Sequence, residues 1–289
     1  MGKHNLPLYW MSFTHHKAQG VVVVLNGRVE TCWKYQEICY DLFQQGYDVY
    51  TFDHRGQGHS PRLSEKADLG HIDCFDYFVD DAHTFLRTIV KPARYQHSHL
   101  LAHSMGGTIA TLLLTQHAFT SAALCAPMYG IALSPIMKRI ARPCLQLLDW
   151  WKGEPGFAPK QGPYINKPFE NNVLTHSETR YRWFRQLYQS HPQLRLGGAS
   201  RQWVIQATKA AQQCRKIKPP LGTPLLILQA DKEAIVDNEI QIQVAKQLDA
   251  KLTAVANAKH EILFESDPIR TAALNEIFAF FKKAEQSND

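Results

Sequence analysis

Residues 21–25 are four valines and a leucine, with no polar position among them. Side chains of a strand point alternately to its two faces, so such a run must be covered on both sides. It stops at Asn26-Gly27, a turn signal. Short strand-like segments return at 47–52, 99–102, 122–126, 225–229 and 251–255. Helical spacing fills the gaps between them. Residues 33–44 are closed by Gly46, and Phe75, Phe78, Val79, Ala82, Phe85, Leu86 and Ile89 share a face ahead of Pro92. Further helices are predicted over 108–116, 237–248 and 268–284. This alternation predicts an α/β fold, a mostly parallel central sheet with helices on both faces.

The rhythm breaks between 130 and 220. That stretch holds several prolines, Trp150, Trp151, Trp183 and Trp203, and amphipathic segments at 136–148 and 181–188. It reads as a mainly helical lid inserted into a core made of residues 1–129 and 221–289. A chain of 289 residues is long enough for one large core of this kind.

The strand-helix junction at 100–107, Leu-Leu-Ala-His-Ser-Met-Gly-Gly, is the most informative segment for chemistry. A strand running directly into a helix presents the residue at the turn, here Ser104, in a strained conformation open to substrate. The turn brings backbone against backbone, so small residues are needed two places either side. Gly106 fills one place and Ala102 the other, a one-methyl departure from Gly-x-Ser-x-Gly. The alternative is that Ser104 merely caps the helix.

A serine hydroxyl needs an imidazole to take its proton and a carboxylate to orient that imidazole. In an α/β sheet these groups sit beyond later strands, in the order serine, acid, histidine. Asp231 follows the strand at 225–229 and His260 lies a short loop beyond the strand at 251–255. Glu233 and Asp237 compete with Asp231, which ranks first because it is nearest the strand end; Asp237 is placed to cap the next helix. Oxyanion donors are expected from the backbone amides of Met105 and Arg28, with Asn26 shaping the loop after the first core strand. The Arg28 side chain is either an ordinary surface arginine or a contact for an anionic head group. The segment 53–60, Asp-His-Arg-Gly-Gln-Gly-His-Ser, has neither the Gly-x-Gly-x-x-Gly nor the Gly-Lys-Ser/Thr pattern of a nucleotide loop, and reads as a shaped turn fixed by Asp53.

Several classes are disfavoured. The net charge of +6 comes from scattered lysines and arginines, without the aromatic interleaving of a nucleic-acid platform. That excess reads first as an ordinary mixed surface and second as a peripheral contact to an anionic membrane or a negatively charged ligand. The six cysteines form no Cys-x-x-Cys pair and no metal-ligand cluster, as expected of thiols in a reducing compartment. Residues 1–10 lack the apolar stretch of a secretory signal, and no run of about 18 apolar residues suggests a membrane span. A cytoplasmic location is expected. No cofactor and no metal are expected, and the oligomeric state is not legible.

The chain resembles α/β-hydrolases of the monoglyceride lipase and lysophospholipase group from about residue 21 to its last helix. The likeness is carried by Asn26-Gly27, the segments 52–60, 102–107, 126–130 and 225–231, and Lys-His-Glu-Ile-Leu-Phe-Glu at 259–265. It implies Ser104 as nucleophile, Asp231 as acid, His260 as base, and the amides of Arg28 and Met105 as oxyanion donors. It also implies a helical lid where the insertion lies, and cleavage of the acyl ester of a lysophospholipid. A monoacylglycerol lipase, a general carboxylesterase and a catalytically silent lipid- or partner-binding protein are the competing readings.

Overall fold

The computed structural model describes residues 1–130 and 155–287. The expected segment 136–148, with Ile136, Leu145 and Leu148, and the pair Trp150 and Trp151 lie outside the described residues. Among the described residues seven strands form one sheet: β1 (Trp10–Phe13), β2 (Gly20–Leu25), β3 (Tyr47–Phe52), β4 (His97–His103), β5 (Ser121–Cys125), β6 (Leu225–Ala230) and β7 (Lys251–Val255). Their order is β1-β3-β2-β4-β5-β6-β7. Only β1, which the sequence pattern did not reveal, runs antiparallel, pairing with β3 at the sheet's edge. The other pairs are parallel.

The valine run explains the layering. Val21, Val23 and Leu25 point into one core, whereas Val22 and Val24 point into the other. The first core is closed by α2 (Asp76–Phe85), α3 (Met105–Leu113), α5 (Arg201–Cys214) and α6 (Asn238–Gln247). On the other face lie α1 (Gln36–Gln44) and α7 (Asp267–Gln286), through Ile38, Leu42, Ile277 and Phe281. The helix α2 runs on through a π-helical turn, Leu86–Val90, and stops where Lys91 turns left-handed before Pro92. Proline cannot continue the backbone ladder there.

Within the expected insertion, α5 packs Trp203, Ala207, Ala210 and Cys214 into the first sheet core. Its N-terminus is capped by the Ser200 side chain, which accepts from the Trp203 amide at 3.0 Å. In contrast, α4 (Glu178–Ser190) builds a separate small cluster from Tyr181, Phe184 and Tyr188, joined by Leu194 of the turn that follows, against Trp33. No described helix is long and apolar enough to cross a membrane. Among the described cysteines, Cys32, Cys39, Cys125 and Cys214 are buried free thiols and Cys74 is half-buried.

Two buried histidines give the fold a defined acid sensitivity. Burial lowers His54 and His99 from the ordinary 6.5 to about 4. Between those values the unfolded chain binds one more proton at each site than the folded chain does, so their stabilisation is complete above about pH 6.5 and falls toward pH 4. We expect each to cost on the order of 3 kcal/mol across that window. Urea midpoints measured from pH 7 to pH 4.5 should fall, and less so in His54→Gln or His99→Gln. Parallel curves for wild type and both variants would exclude this origin.

Candidate active site

Strand β4 delivers its chain straight into α3, and Ser104 occupies the junction with φ +53° and ψ −116°. That left-handed backbone is costly for a residue with a Cβ and persists only where neighbours enforce it. Here the Ser104 amide donates to the Cys125 carbonyl at 3.0 Å, and the Ser104 carbonyl accepts from Met128 at 3.0 Å and Gly107 at 2.9 Å. A Cβ at Gly106 would stand 2.3 Å from the Leu25 carbonyl oxygen, so only glycine lets α3 start this close to β2. Ala102, by contrast, is fully buried in β4, and its methyl is absorbed into the core with Leu25 and Leu124.

His260 reaches this turn from the loop after β7. Its Nε2 lies 3.0 Å from Ser104 Oγ, and its Nδ1 lies 2.8 Å from Glu233 Oε2. The expected acid, Asp231, does not meet His260. Its side chain is 46% exposed, beside Lys232 Nζ at 3.2 Å, and accepts the Asn257 amide at 3.2 Å. Glu233 carries the carboxylate that Asp231 was expected to supply. Its Oε1 accepts from the amides of Ala234, Ile235 and Val236 at 3.0, 2.8 and 3.2 Å, which fixes Oε2 toward the imidazole. Burial works to raise the Glu233 pKa, but the His260 contact and these amides outweigh it and hold it below the usual range. Asp237 caps α6, accepting from Glu239 and Ile240 at 3.1 and 3.3 Å.

The loop after β2 supplies the opposite wall. Asn26 donates to the Phe52 carbonyl at 3.1 Å and accepts from Gln57, whose amide also reaches the carbonyls of Gly27 and Glu30. Asp53 fixes the neighbouring turn by accepting from the amides of Cys32 and His59 at 2.6 and 2.7 Å. Val29 takes φ +69°, rare for a β-branched residue, and its carbonyl accepts from Tyr188 at 2.7 Å. Met105 is the first residue of α3, so its amide has no intrahelical acceptor.

Beneath the site is an ionic network with no clear single-sequence signature. Lys34 Nζ lies 2.8 Å from Glu30 and 2.6 Å from Glu261, all three being buried. Glu30 also accepts from the Gly27 amide and the Tyr35 hydroxyl and meets His103 Nδ1 at 3.2 Å. Burial opposes charging His103, yet Glu30 overrides it and raises the pKa. The other His103 nitrogen faces the His260 carbonyl at 3.2 Å, tying the network to the imidazole's own backbone. Buried charges are tolerated when paired in this way.

Ser104 and His260 open into a cavity of about 380 Å³ with Met128, Leu174, Phe184, Tyr188, Trp203 and Val236 in its walls. Phe184 lines this pocket as well as packing in the small cluster of α4, whereas Trp183 is 44% exposed and lines a different hollow. Among the described residues no group of histidine, cysteine and carboxylate side chains is arranged to hold a metal.

A family model described as serine aminopeptidase, S33, matches residues 16–267. The chain belongs to that family. It is 38% identical to lysophospholipase L2 of Escherichia coli (strain K12), covering 98% of this chain and 86% of that one. It is 36% identical to the probable lysophospholipase L2 of Haemophilus influenzae, covering 96% and 90%. Among solved structures, a soluble variant of monoglyceride lipase from Saccharomyces cerevisiae superposes with a TM-score of 0.75 at 18% identity, covering 98% of this chain and 94% of that one. The fold is that of the α/β-hydrolases.

Proposed function

We propose that the chain hydrolyses the acyl ester of lysophospholipids, releasing a fatty acid and a glycerophospho-alcohol. The observation that carries the chemistry is the line Ser104 Oγ, His260 Nε2, His260 Nδ1, Glu233 Oε2, with contacts of 3.0 and 2.8 Å. The likeness to the two lysophospholipases supports the substrate.

In this reading His260 Nε2 takes the Ser104 proton as Oγ attacks the ester carbonyl carbon. The Glu233 carboxylate holds the ring in the required tautomer and steadies its positive charge. The amides of Met105 and Arg28 face the oxyanion, where preorganised donors contribute most. The tetrahedral intermediate collapses, the C–O bond to the glycerol breaks, and His260 returns its proton to the departing oxygen. Water, deprotonated by the same imidazole, then attacks the acyl-serine; fatty acid leaves and Ser104 regains its proton. Met128, Leu174, Phe184 and Trp203 give the acyl chain an apolar wall. In the described part of the insertion we assign the lid role to residues 155–200, with α5 serving the sheet core. We place the enzyme in the cytoplasm, with a net charge of +6 compatible with meeting its substrate at an anionic membrane surface.

Fatty-acid release should be compared for lysophosphatidylethanolamine, a diacyl phospholipid and monoacylglycerol. The lysophospholipid is expected to be the best substrate, by tenfold or more in kcat/KM. Preference for monoacylglycerol would make the protein a monoacylglycerol lipase, and turnover of short soluble esters alone would make it a general carboxylesterase.

A further inference from the structure

A second hollow of about 410 Å³ adjoins the Ser104 cavity, and Arg28, Val29, Gln161, Leu174, Arg185 and Ile235 line both. Its described lining carries four cationic side chains, Arg28, Lys160, Lys167 and Arg185, and no carboxylate. This contrasts with Lys34 in the first cavity, which is neutralised by Glu30 and Glu261.

Among the described residues neither arginine has an acidic partner. Arg28 donates from Nη2 to the Gly197 carbonyl at 2.8 Å, and its guanidinium lies 5.0 Å from the centre of the Trp203 ring. Arg185 donates to the Tyr181 hydroxyl at 3.1 Å and stacks over Tyr181 and Phe184 at 4.9 and 5.0 Å. Among the described residues the Nε atoms of both arginines are buried without an acceptor, as is the hydroxyl of Tyr164 in the same lining. Burial lowers Arg28 to about 10, which still leaves it charged at neutral pH. Buried donors left unpaired are uncommon, and guanidinium groups match the fork of a phosphate.

We propose that Arg28 and Arg185 form a subsite for a phosphodiester anion, which holds the head group of the substrate while its acyl ester lies at Ser104. The subsite rests on the lysophospholipid reading above and adds to it a basis for preferring a phosphorylated over a neutral glycerol ester. The oxyanion role of Arg28 belongs to its backbone amide and is kept when the side chain is changed.

The test is the ratio of kcat/KM for lysophosphatidylethanolamine to that for monoacylglycerol, measured on the full chain. In Arg185→Gln and in Arg28→Gln the ratio should fall tenfold or more, with most of the loss in KM for the phospholipid. Arg185→Lys should recover part of it, because it restores charge without the planar fork. Arg182→Gln, an exposed change on the same helix, should leave the ratio within twofold. Glycerophosphocholine and inorganic phosphate, tested as inhibitors, separate the sources of the anion. Inhibition by the former that weakens in Arg185→Gln supports a head-group subsite, whereas inhibition by inorganic phosphate alone overturns it in favour of a free-phosphate site. Equal losses on both substrates, or an unchanged ratio, would overturn the proposal while leaving the hydrolase assignment intact. A wild-type protein inactive on every lysophospholipid would remove both this subsite and the lysophospholipid reading.

Discussion

Ser104→Ala is expected to lower kcat for lysophospholipid hydrolysis by about 10⁵- to 10⁶-fold, because the group that attacks the carbonyl is gone. Binding and the oxyanion amides remain, so a residual rate above that in water is expected. The change removes one oxygen at a position whose backbone is fixed by Cys125, Met128 and Gly107, so the fold should persist. Labelling by a fluorophosphonate, which reacts with an activated serine, should vanish together with fatty-acid release. Activity within tenfold of wild type, or labelling that survives the substitution, would exclude Ser104 as the nucleophile.

The second large effect separates two acids that lie two residues apart. Glu233→Gln should reduce kcat by about 10³- to 10⁴-fold, since an amide neither enforces the imidazole tautomer nor balances the imidazolium charge. The amide oxygen can still accept from Ala234, Ile235 and Val236, so the loop keeps its hydrogen bonds. Asp231→Asn, on an exposed side chain beside Lys232, should change kcat by no more than about twofold. Comparing the two single variants in one steady-state assay is decisive. A large loss in Asp231→Asn with little in Glu233→Gln would return the acid to Asp231.

The difference between these acids shows where sequence reasoning stops. Proximity to the strand end favoured Asp231, yet the chain leaving β6 turns so that Asp231 faces Asn257 and solvent. The longer Glu233 side chain, two residues on, folds back over three amides to reach His260. Nothing in a single sequence reports that turn. The Lys34, Glu30 and Glu261 network was equally hidden, because Glu30 and Lys34, four residues apart, look like ordinary charges until folding brings the distant Glu261 to them and buries all three. The edge strand β1 was missed for a related reason: half-exposed on an edge, it alternates too briefly to stand out.

The amino-acid sequence by itself determined the layered α/β plan, because the all-apolar run at 21–25 permits only a strand covered on both faces. It also determined the turn at Ser104, because Gly106 is the residue that tolerates the Leu25 carbonyl at that distance. The identity of the acid, the burial of Lys34 between two glutamates, and the placing of Arg28 and Arg185 in the walls of one hollow were decided only in three dimensions. Those depend on side-chain direction and on approaches between residues as far apart as 28 and 185, which local propensity and spacing do not encode.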